Sequence, residues 1–189
     1  NFNAYVGRDD KFMWIHGKNK SNDTMTNVTE LRNAGADMNF IDDTGVGGGV
    51  TDRCVEESIP VIAVGLGASA SDKTRWANLR SELYFKWRQW ILEQGGKMEE
   101  SEHWLALYEI KWKVDSSRKF KHGPREEMMK RARQQLIRLG STSPDVIDAG
   151  SLTFAEENMP TLEVIEDIIE SKERKRESVE PVEKESYIS

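Results

Sequence analysis

Residues 41–53 read Ile-Asp-Asp-Thr-Gly-Val-Gly-Gly-Gly-Val-Thr-Asp-Arg, and this stretch says most about the fold. The apolar residues just before it have the composition of a short β-strand, so Asp42 stands where that strand ends. The glycines that follow allow positive φ angles and a close approach of the backbone beside the acid. A dinucleotide-binding loop is not indicated, because Val50 occupies the position of the third glycine. The stretch therefore predicts a strand that presents a carboxylate at its end.

The first hundred residues alternate β-like runs with helical or turn signals, which is typical of an α/β layer fold. Four runs are predicted as strands, at residues 4–8, 11–16, 38–41 and 60–64. A short helix is predicted at residues 24–34, ended by Gly35. Four strands are enough to form a sheet, so we expect the first half of the chain to supply it.

The later part of the chain reads as helices. Apolar residues from Thr74 to Gln94 recur at steps of three and four, and Gly95 and Gly96 follow as a stop signal. Because helical spacing points the tryptophans of this segment at one face, we interpret them as core residues rather than a base-stacking platform. Further helices are predicted at 102–108, at 124–139 and from residue 142 through 154.

Length and composition favour one domain with a real core, since the chain has 189 residues and is 37% hydrophobic. We place this domain at residues 1–160 and expect residues 161–189 to be a charged, partly disordered helix or tail. The first residues do not resemble a secretion signal, and no apolar run is long enough for a membrane span. Cys54 is the single cysteine, which excludes an internal disulfide and a cysteine-based zinc site and fits a cytoplasmic protein.

The formal net charge of −6 hides an uneven distribution. Residues 156–189 carry 11 acids and 5 bases, so the rest of the chain is neutral overall. Within it, residues 111–138 hold 10 Lys and Arg against 3 acids, which predicts a surface that follows a phosphate backbone. A solvated helix face with a basic loop is the alternative interpretation. The candidate DNA-binding residues are Lys111, Lys113, Arg118, Lys119, Lys121, Arg125 and Lys130.

Acids stand at places where a sheet-based active site would need them. Asp9 ends the first predicted strand, Asp42 ends the third, and Asp145 and Asp148 share one face at the start of a late helix. Gathered carboxylates repel one another unless a cation joins them, and oxygen ligands of this kind select Mg²⁺ or Mn²⁺. Each acid taken singly has an ordinary alternative role, in a turn or at a helix N-terminus.

Three segments resemble one protein family in the family's own order. Residues 41–53 closely resemble the strand, acid and glycine signature of the nuclease domain of tailed-phage terminase large subunits. Residues 77–84 are similar to that family's helix after the fourth strand, and residues 143–155 to its closing helix. The resemblance implies a ribonuclease H-like fold, in which a mixed central β-sheet is flanked by helices. It also implies a metal-dependent endonuclease that cuts double-stranded concatemeric DNA when genome packaging begins and ends.

The same resemblance implies roles for the four acids as catalytic metal ligands. Asp42 is the strand ligand, Asp145 is the helix ligand, and Asp148 is a second helix acid placed as in Holliday-junction resolvases. Asp9 is assigned to the first strand, although it is followed at once by Asp10, where the family has a short loop. Two Mg²⁺ or Mn²⁺ ions would then activate a water and stabilise the leaving oxygen.

The implied partners are double-stranded DNA, the portal protein, the small terminase subunit and the ATPase domain of the full-length chain. No membrane is among them, and the implied location is the host cytoplasm, at the procapsid. This sequence has no intact phosphate-binding loop of its own, because Asp72 occupies a glycine position in the segment 67–74. Two rival hypotheses remain open: a structure-selective resolvase of the same fold, and a non-catalytic module that docks on the portal.

Overall fold

The computed structural model describes residues 2–43, 47–141 and 143–155, with the backbone alone at Arg125. It begins with a hairpin in which β1 (Asn3–Arg8) pairs antiparallel with β2 (Phe12–Asn19). The tight turn between them is closed by Asp9, whose Oδ1 accepts hydrogen bonds from the main-chain N–H groups of Lys11 and Phe12. A short strand, β5 (Lys97–Met98), adds to β2 in parallel and completes a three-stranded sheet.

A second sheet pairs β3 (Asn39–Asp42) in parallel with β4 (Val61–Val64). The helix α1 (Thr24–Ala34) precedes it, with Asp23 accepting hydrogen bonds at its N-terminus and Gly35 in the left-handed conformation at its end. The crossover between the two strands is α2 (Gly47–Glu56). The four strands and the helix at 24–34 that the sequence predicts are confirmed.

The longest helix of the described residues is α3 (Leu79–Glu93). The predicted start of this helix at Thr74 is wrong. The carboxylate of Asp72 accepts hydrogen bonds from the N–H and hydroxyl of Thr74, which holds that residue in a turn. The helix begins after Asn78, which is its N-cap. Trp87 and Trp90 are buried in the main hydrophobic core, which confirms their interpretation as core residues.

One buried acid on α3 holds the preceding loop. Glu82 accepts hydrogen bonds from the N–H and hydroxyl of Ser71 and pairs with the ammonium of Lys86. Burial alone would raise the pKa of this carboxyl, but the bonds from Ser71 and the charge of Lys86 outweigh burial and lower it.

A hairpin follows that the sequence patterns did not reveal. After a 3₁₀ helix at Glu102–Glu109, β6 (Trp112–Val114) pairs antiparallel with β7 (Phe120–His122). Each strand has three residues, too few for a period of two to stand out from the surrounding charges. Phe120 and Trp112 pack with Trp76 and Phe85, so the aromatic residues rather than a strand pattern hold this hairpin in place.

Two helices end the described part of the chain, α4 (Arg125–Arg138) and α5 (Asp145–Leu152). α5 packs against β1, β3, α3 and the 3₁₀ helix, so it touches both of the first two sheets. Gly150 allows α5 to approach α3 closely, because a Cβ there would lie 2.6 Å from the ring of buried Trp87. The helix α5 is therefore held by contacts on several sides.

The predicted α/β fold class with flanking helices is confirmed, and small sheets stand in place of the expected mixed central sheet. Among the described residues the strands form three small sheets, and no hydrogen-bond ladder joins β1 to β3. No helix of the described ranges is long and apolar enough to cross a membrane. The predicted boundary at residue 160 and the tail 161–189 lie outside the described residues, as does the first segment of the glycine run, residues 44–46.

Candidate active site

Asp145 stands at the first position of α5, after Pro144. Its Oδ2 accepts a 2.8 Å hydrogen bond from the main-chain N–H of Phe2, the residue before β1. The hydroxyl of Ser141 lies 3.5 Å from the same oxygen. The half-buried carboxylate is therefore tied to the beginning of the first sheet and to the loop before its own helix.

Asp148 lies three residues further on, which places it beside Asp145 on the same face of α5. Its Oδ1 accepts a 2.9 Å hydrogen bond from the hydroxyl of Tyr84 on α3. Asp148 is half-buried and Tyr84 is buried, with 8% of its surface exposed. The second acid of the pair is thus oriented by a different helix from the one that carries it.

Asp42 ends β3, and β3 packs against α5, the helix that carries the other two acids. The close approach predicted for the glycine run is seen at Gly47, where a Cβ would collide with the main-chain oxygen of Asp42. The first turn of α2 can therefore lie directly on the end of β3 only if residue 47 lacks a side chain. This contact fixes the backbone at the strand acid.

Asp9 lies at the other end of β1 from Asp145. The strand separates the contact of Phe2 with Asp145 from the hairpin turn by roughly 20 Å, at about 3.3 Å per residue. The exposed Asp9 side chain accepts hydrogen bonds from the N–H groups of Lys11 and Phe12, which lower the pKa of its carboxyl. Asp9 closes a turn at the end of β1 away from Phe2, so the structure does not bring it together with Asp145.

The carboxylates of Asp145 and Asp148, in the first turn of α5, are ligands of the kind that hard divalent cations prefer. Mg²⁺ is commonly held by one or two carboxylates together with waters and substrate phosphates. Within residues 2–43, 47–141 and 143–155, no three His, Cys, Asp or Glu side chains lie close enough together to enclose a metal ion. The pair Asp145 and Asp148 thus fits one ion that needs further oxygen ligands, and the two-ion arrangement stays a prediction.

The predicted DNA-binding residues lie on the β6–β7 hairpin and α4. Lys113 and Lys121 stand directly opposite each other in the hairpin register, and both are exposed. Like charges at directly opposed positions destabilise a hairpin, and an anion bound between the two ammonium groups would reduce their repulsion. Three more of the predicted residues are exposed: Lys111, Arg118 and Lys130. Lys119 is half-buried in the turn of the hairpin, and the side chain of Arg125 is not among the described residues.

Two further cations lie beside the ring of Phe2, the residue whose main-chain N–H binds Asp145. The ammonium groups of Lys18 and Lys20 are 5.0 and 4.5 Å from the ring centre of Phe2, whose N–H binds Asp145. Both lysines are exposed. No local pattern could have found them, because their relation to Asp145 depends on a contact between residues 143 positions apart.

His122, at the end of β7, links the β6–β7 hairpin to α3. Its Nδ1 lies 2.8 Å from the hydroxyl of Ser81, and its ring makes an edge contact with Tyr84 at 5.5 Å between ring centres. Burial, helped by the charges of Arg80 and Lys121, lowers the pKa of His122 from 6.5 to about 4. A neutral imidazole therefore joins the basic hairpin to the helix that orients Asp148.

Solved nuclease domains of the large terminase subunit of bacterial virus Sf6 have a similar fold. A point mutant of that domain with manganese and β-thujaplicinol gives a TM-score of 0.62 at 16% sequence identity, covering 82% of this chain and 82% of that chain. A mutant with calcium and the nuclease domain itself each give a TM-score of 0.60 at 16% identity, with the same coverage. No protein-family model matches the sequence, and no curated protein matches it either. The predicted resemblance is confirmed at the level of architecture: the chain has the ribonuclease H-like fold of these terminase nuclease domains.

Proposed function

We propose that the chain is a divalent-metal-dependent DNA endonuclease in which Asp42, Asp145 and Asp148 hold Mg²⁺ or Mn²⁺. The observation that carries the proposal is the anchoring of Asp145 and Asp148 at the start of α5, the helix that packs against the strand ending in Asp42. Asp145 and Asp148 stand side by side on one face of α5, and neighbouring carboxylates repel each other unless a cation joins them. The similarity to a nuclease domain bound to manganese supports the same choice of ligand.

The bound ion would stabilise charge on the phosphate oxygens and make a water more acidic at neutral pH. The protein itself would contribute by holding the ligating carboxylates in fixed orientations. The N–H of Phe2 holds one oxygen of Asp145, and the hydroxyl of Tyr84 holds one oxygen of Asp148. Because these contacts come from the residue before β1 and from α3, the two carboxylates are oriented before any ligand arrives, and less ordering entropy is lost on binding.

DNA binding is supported by cations at two places. Lys113 and Lys121 oppose each other on the exposed hairpin, where a phosphate between them would relieve their repulsion. Lys18 and Lys20 lie beside the ring of Phe2, whose main-chain N–H binds Asp145. Such contacts hold a phosphate backbone without reading its sequence, as cleavage at many positions requires.

The finer assignment follows from the terminase-like fold. We infer that this domain belongs to a terminase large subunit and cuts double-stranded concatemeric DNA at the start and end of packaging. The corresponding partners are the portal protein, the small terminase subunit and an ATPase domain of the full-length chain, at the procapsid in the host cytoplasm. The similarity in fold to terminase nuclease domains is the observation that supports this assignment.

A matched series of Asp→Asn variants tests the proposal. Each removes a charge while keeping an oxygen that accepts a hydrogen bond, so the local fold is preserved. We expect Asp42→Asn and Asp145→Asn to lose Mn²⁺-dependent plasmid cleavage by at least about 100-fold, because a neutral amide is a poor ligand for a hard cation. Asp9→Asn is the control, since Asp9 lies at the far end of β1, and it should cleave as the parent does.

Full cleavage by Asp145→Asn would overturn the proposal, and loss of cleavage in Asp9→Asn would restore the sequence-based assignment of Asp9. Substrates separate the rival functions. A resolvase would cut four-way junctions in preference to linear duplex. A portal-docking module would bind no Mn²⁺ in calorimetric titration and would cut neither substrate.

A further inference from the structure

We infer that Tyr84 is a positioning residue of the metal site, acting through Asp148. The inference rests on the proposed function and goes beyond it, because Tyr84 carries no metal-binding chemistry of its own at neutral pH. It lies on α3, a helix that contributes none of the candidate ligands. Its hydroxyl donates a 2.9 Å hydrogen bond to Oδ1 of Asp148, which is well within the range for a bond to a carboxylate.

The consequence for Asp148 is a fixed orientation. A carboxylate on the first turns of a helix can rotate about its side-chain bonds, and each orientation presents its oxygens differently. A bond from a buried hydroxyl selects one of them, because the donor itself cannot follow the carboxylate. Partners of this kind set the direction of a ligating oxygen, and their removal commonly weakens metal binding 10- to 100-fold.

Tyr84 is held rigidly enough for this role. It is 8% exposed, and its ring meets the edge of His122 with 5.5 Å between ring centres. His122 in turn is bonded to Ser81, which is fully buried and also bonds Asn78, the N-cap of α3. The position of the Tyr84 hydroxyl is therefore fixed by the backbone of α3 and by the contact of its ring with His122 at the end of β7.

This support also connects the metal site with the basic surface. His122 ends the strand that carries Lys121, its ring contacts Tyr84, and the Tyr84 hydroxyl binds Asp148. Tyr84 thus stands between the residues that hold DNA and a residue that holds metal.

The test compares Tyr84→Phe with the parent protein by calorimetric titration with Mn²⁺ in the absence of DNA. The substitution removes one oxygen and keeps the ring, so we expect Mn²⁺ to bind roughly 10- to 100-fold more weakly. At saturating Mn²⁺, cleavage should recover most of its rate, because Asp148 itself is still present. Tyr108→Phe is the matched control, since Tyr108 is 76% exposed on the 3₁₀ helix, and it should bind Mn²⁺ as the parent does.

A double-variant cycle distinguishes positioning from general loosening of the fold. If Tyr84 acts through Asp148, Tyr84→Phe should add little further weakening of Mn²⁺ binding in an Asp148→Ala background, which has no side-chain acceptor for the Tyr84 hydroxyl. An equal loss in both backgrounds would overturn the inference, as would unchanged Mn²⁺ affinity in Tyr84→Phe. Thermal unfolding of each variant shows whether the fold is retained. Absence of Mn²⁺ binding in the parent protein would instead overturn the proposed function, and the inference with it.

Discussion

The main-chain N–H of Phe2 donates a 2.8 Å hydrogen bond to Oδ2 of Asp145, joining residues 143 positions apart in the sequence. This bond closes the described chain on itself, because Phe2 leads into β1 and Asp145 opens the last described helix. The carboxylate also lies at a helix N-terminus, where a negative charge is favoured by the helix dipole. Asp145 therefore has a structural role in addition to its proposed role as a ligand.

The double role predicts that Asp145→Ala is destabilising even without metal. The substitution leaves the N–H of Phe2 without its acceptor and removes a charge from the start of α5. We expect a loss of about 1–3 kcal/mol in the free energy of unfolding, measured by urea denaturation in the presence of a chelator. Asp145→Asn keeps an acceptor and should lose less than half as much. Equal losses in the two variants would mean that charge, rather than the bond to Phe2, matters here.

Gly150 offers a second test, of the packing between α5 and α3. A Cβ at residue 150 would lie 2.6 Å from the Trp87 ring, and Trp87 has only 2% of its surface exposed and little room to move. Alanine favours helix over glycine by about 1 kcal/mol, but overpacking costs about 1–3 kcal/mol, so we expect Gly150→Ala to be net destabilising. Gly67→Ala is the control, because nothing lies within 4 Å of a Cβ there. Differential scanning calorimetry of both variants gives the comparison, and a stabilised Gly150→Ala would contradict it.

His122 predicts a pH dependence of stability. Its pKa in the folded protein is about 4, below the ordinary value of 6.5, so the unfolded chain binds the proton more readily. Stability should therefore be fully present above pH 6.5 and fall as the pH drops from about 6.5 to about 4. Allowing for partial exposure of the ring, the loss amounts to about 2 kcal/mol.

His122→Asn removes the titrating group while keeping a side chain that forms hydrogen bonds. The slope of unfolding free energy against pH should then flatten in this window, in denaturant titrations at half-unit steps of pH. The same substitution at His16, which is exposed on β2, is the control for loss of an imidazole. A slope that stays unchanged in His122→Asn would mean that other groups cause it.

Regular patterns in the sequence predicted most of the fold, and contacts between distant residues explain the rest. The strand ending at Asp42 and the helix beginning near Asp145 could be predicted because strand and helix ends have local signals. The hairpin of β6 and β7 could not, since its short strands are held by aromatic packing against Trp76 and Phe85. The assignment of Asp9 to the metal site rests on its place at the end of a strand, but the C-terminal ends of antiparallel strands lie at opposite ends of a sheet. Its place in an antiparallel hairpin puts it at the edge away from Asp145.

The opposed lysines of the hairpin predict a salt-dependent effect on DNA binding. Lys113 and Lys121 are exposed and face each other across β6 and β7, so each is expected to neutralise about one phosphate. Lys113→Gln and Lys121→Gln should each lower the slope of log affinity against log salt by about 1, without changing the preference among sequences. Lys97→Gln is the control. Lys97 is exposed, and it pairs with Phe12 next to the turn between β1 and β2, at the end of β1 away from Asp145. Fluorescence anisotropy with a labelled duplex at several salt concentrations measures all three slopes. A slope that falls equally in Lys97→Gln would show that DNA is attracted by overall charge, and would remove the hairpin as its binding surface.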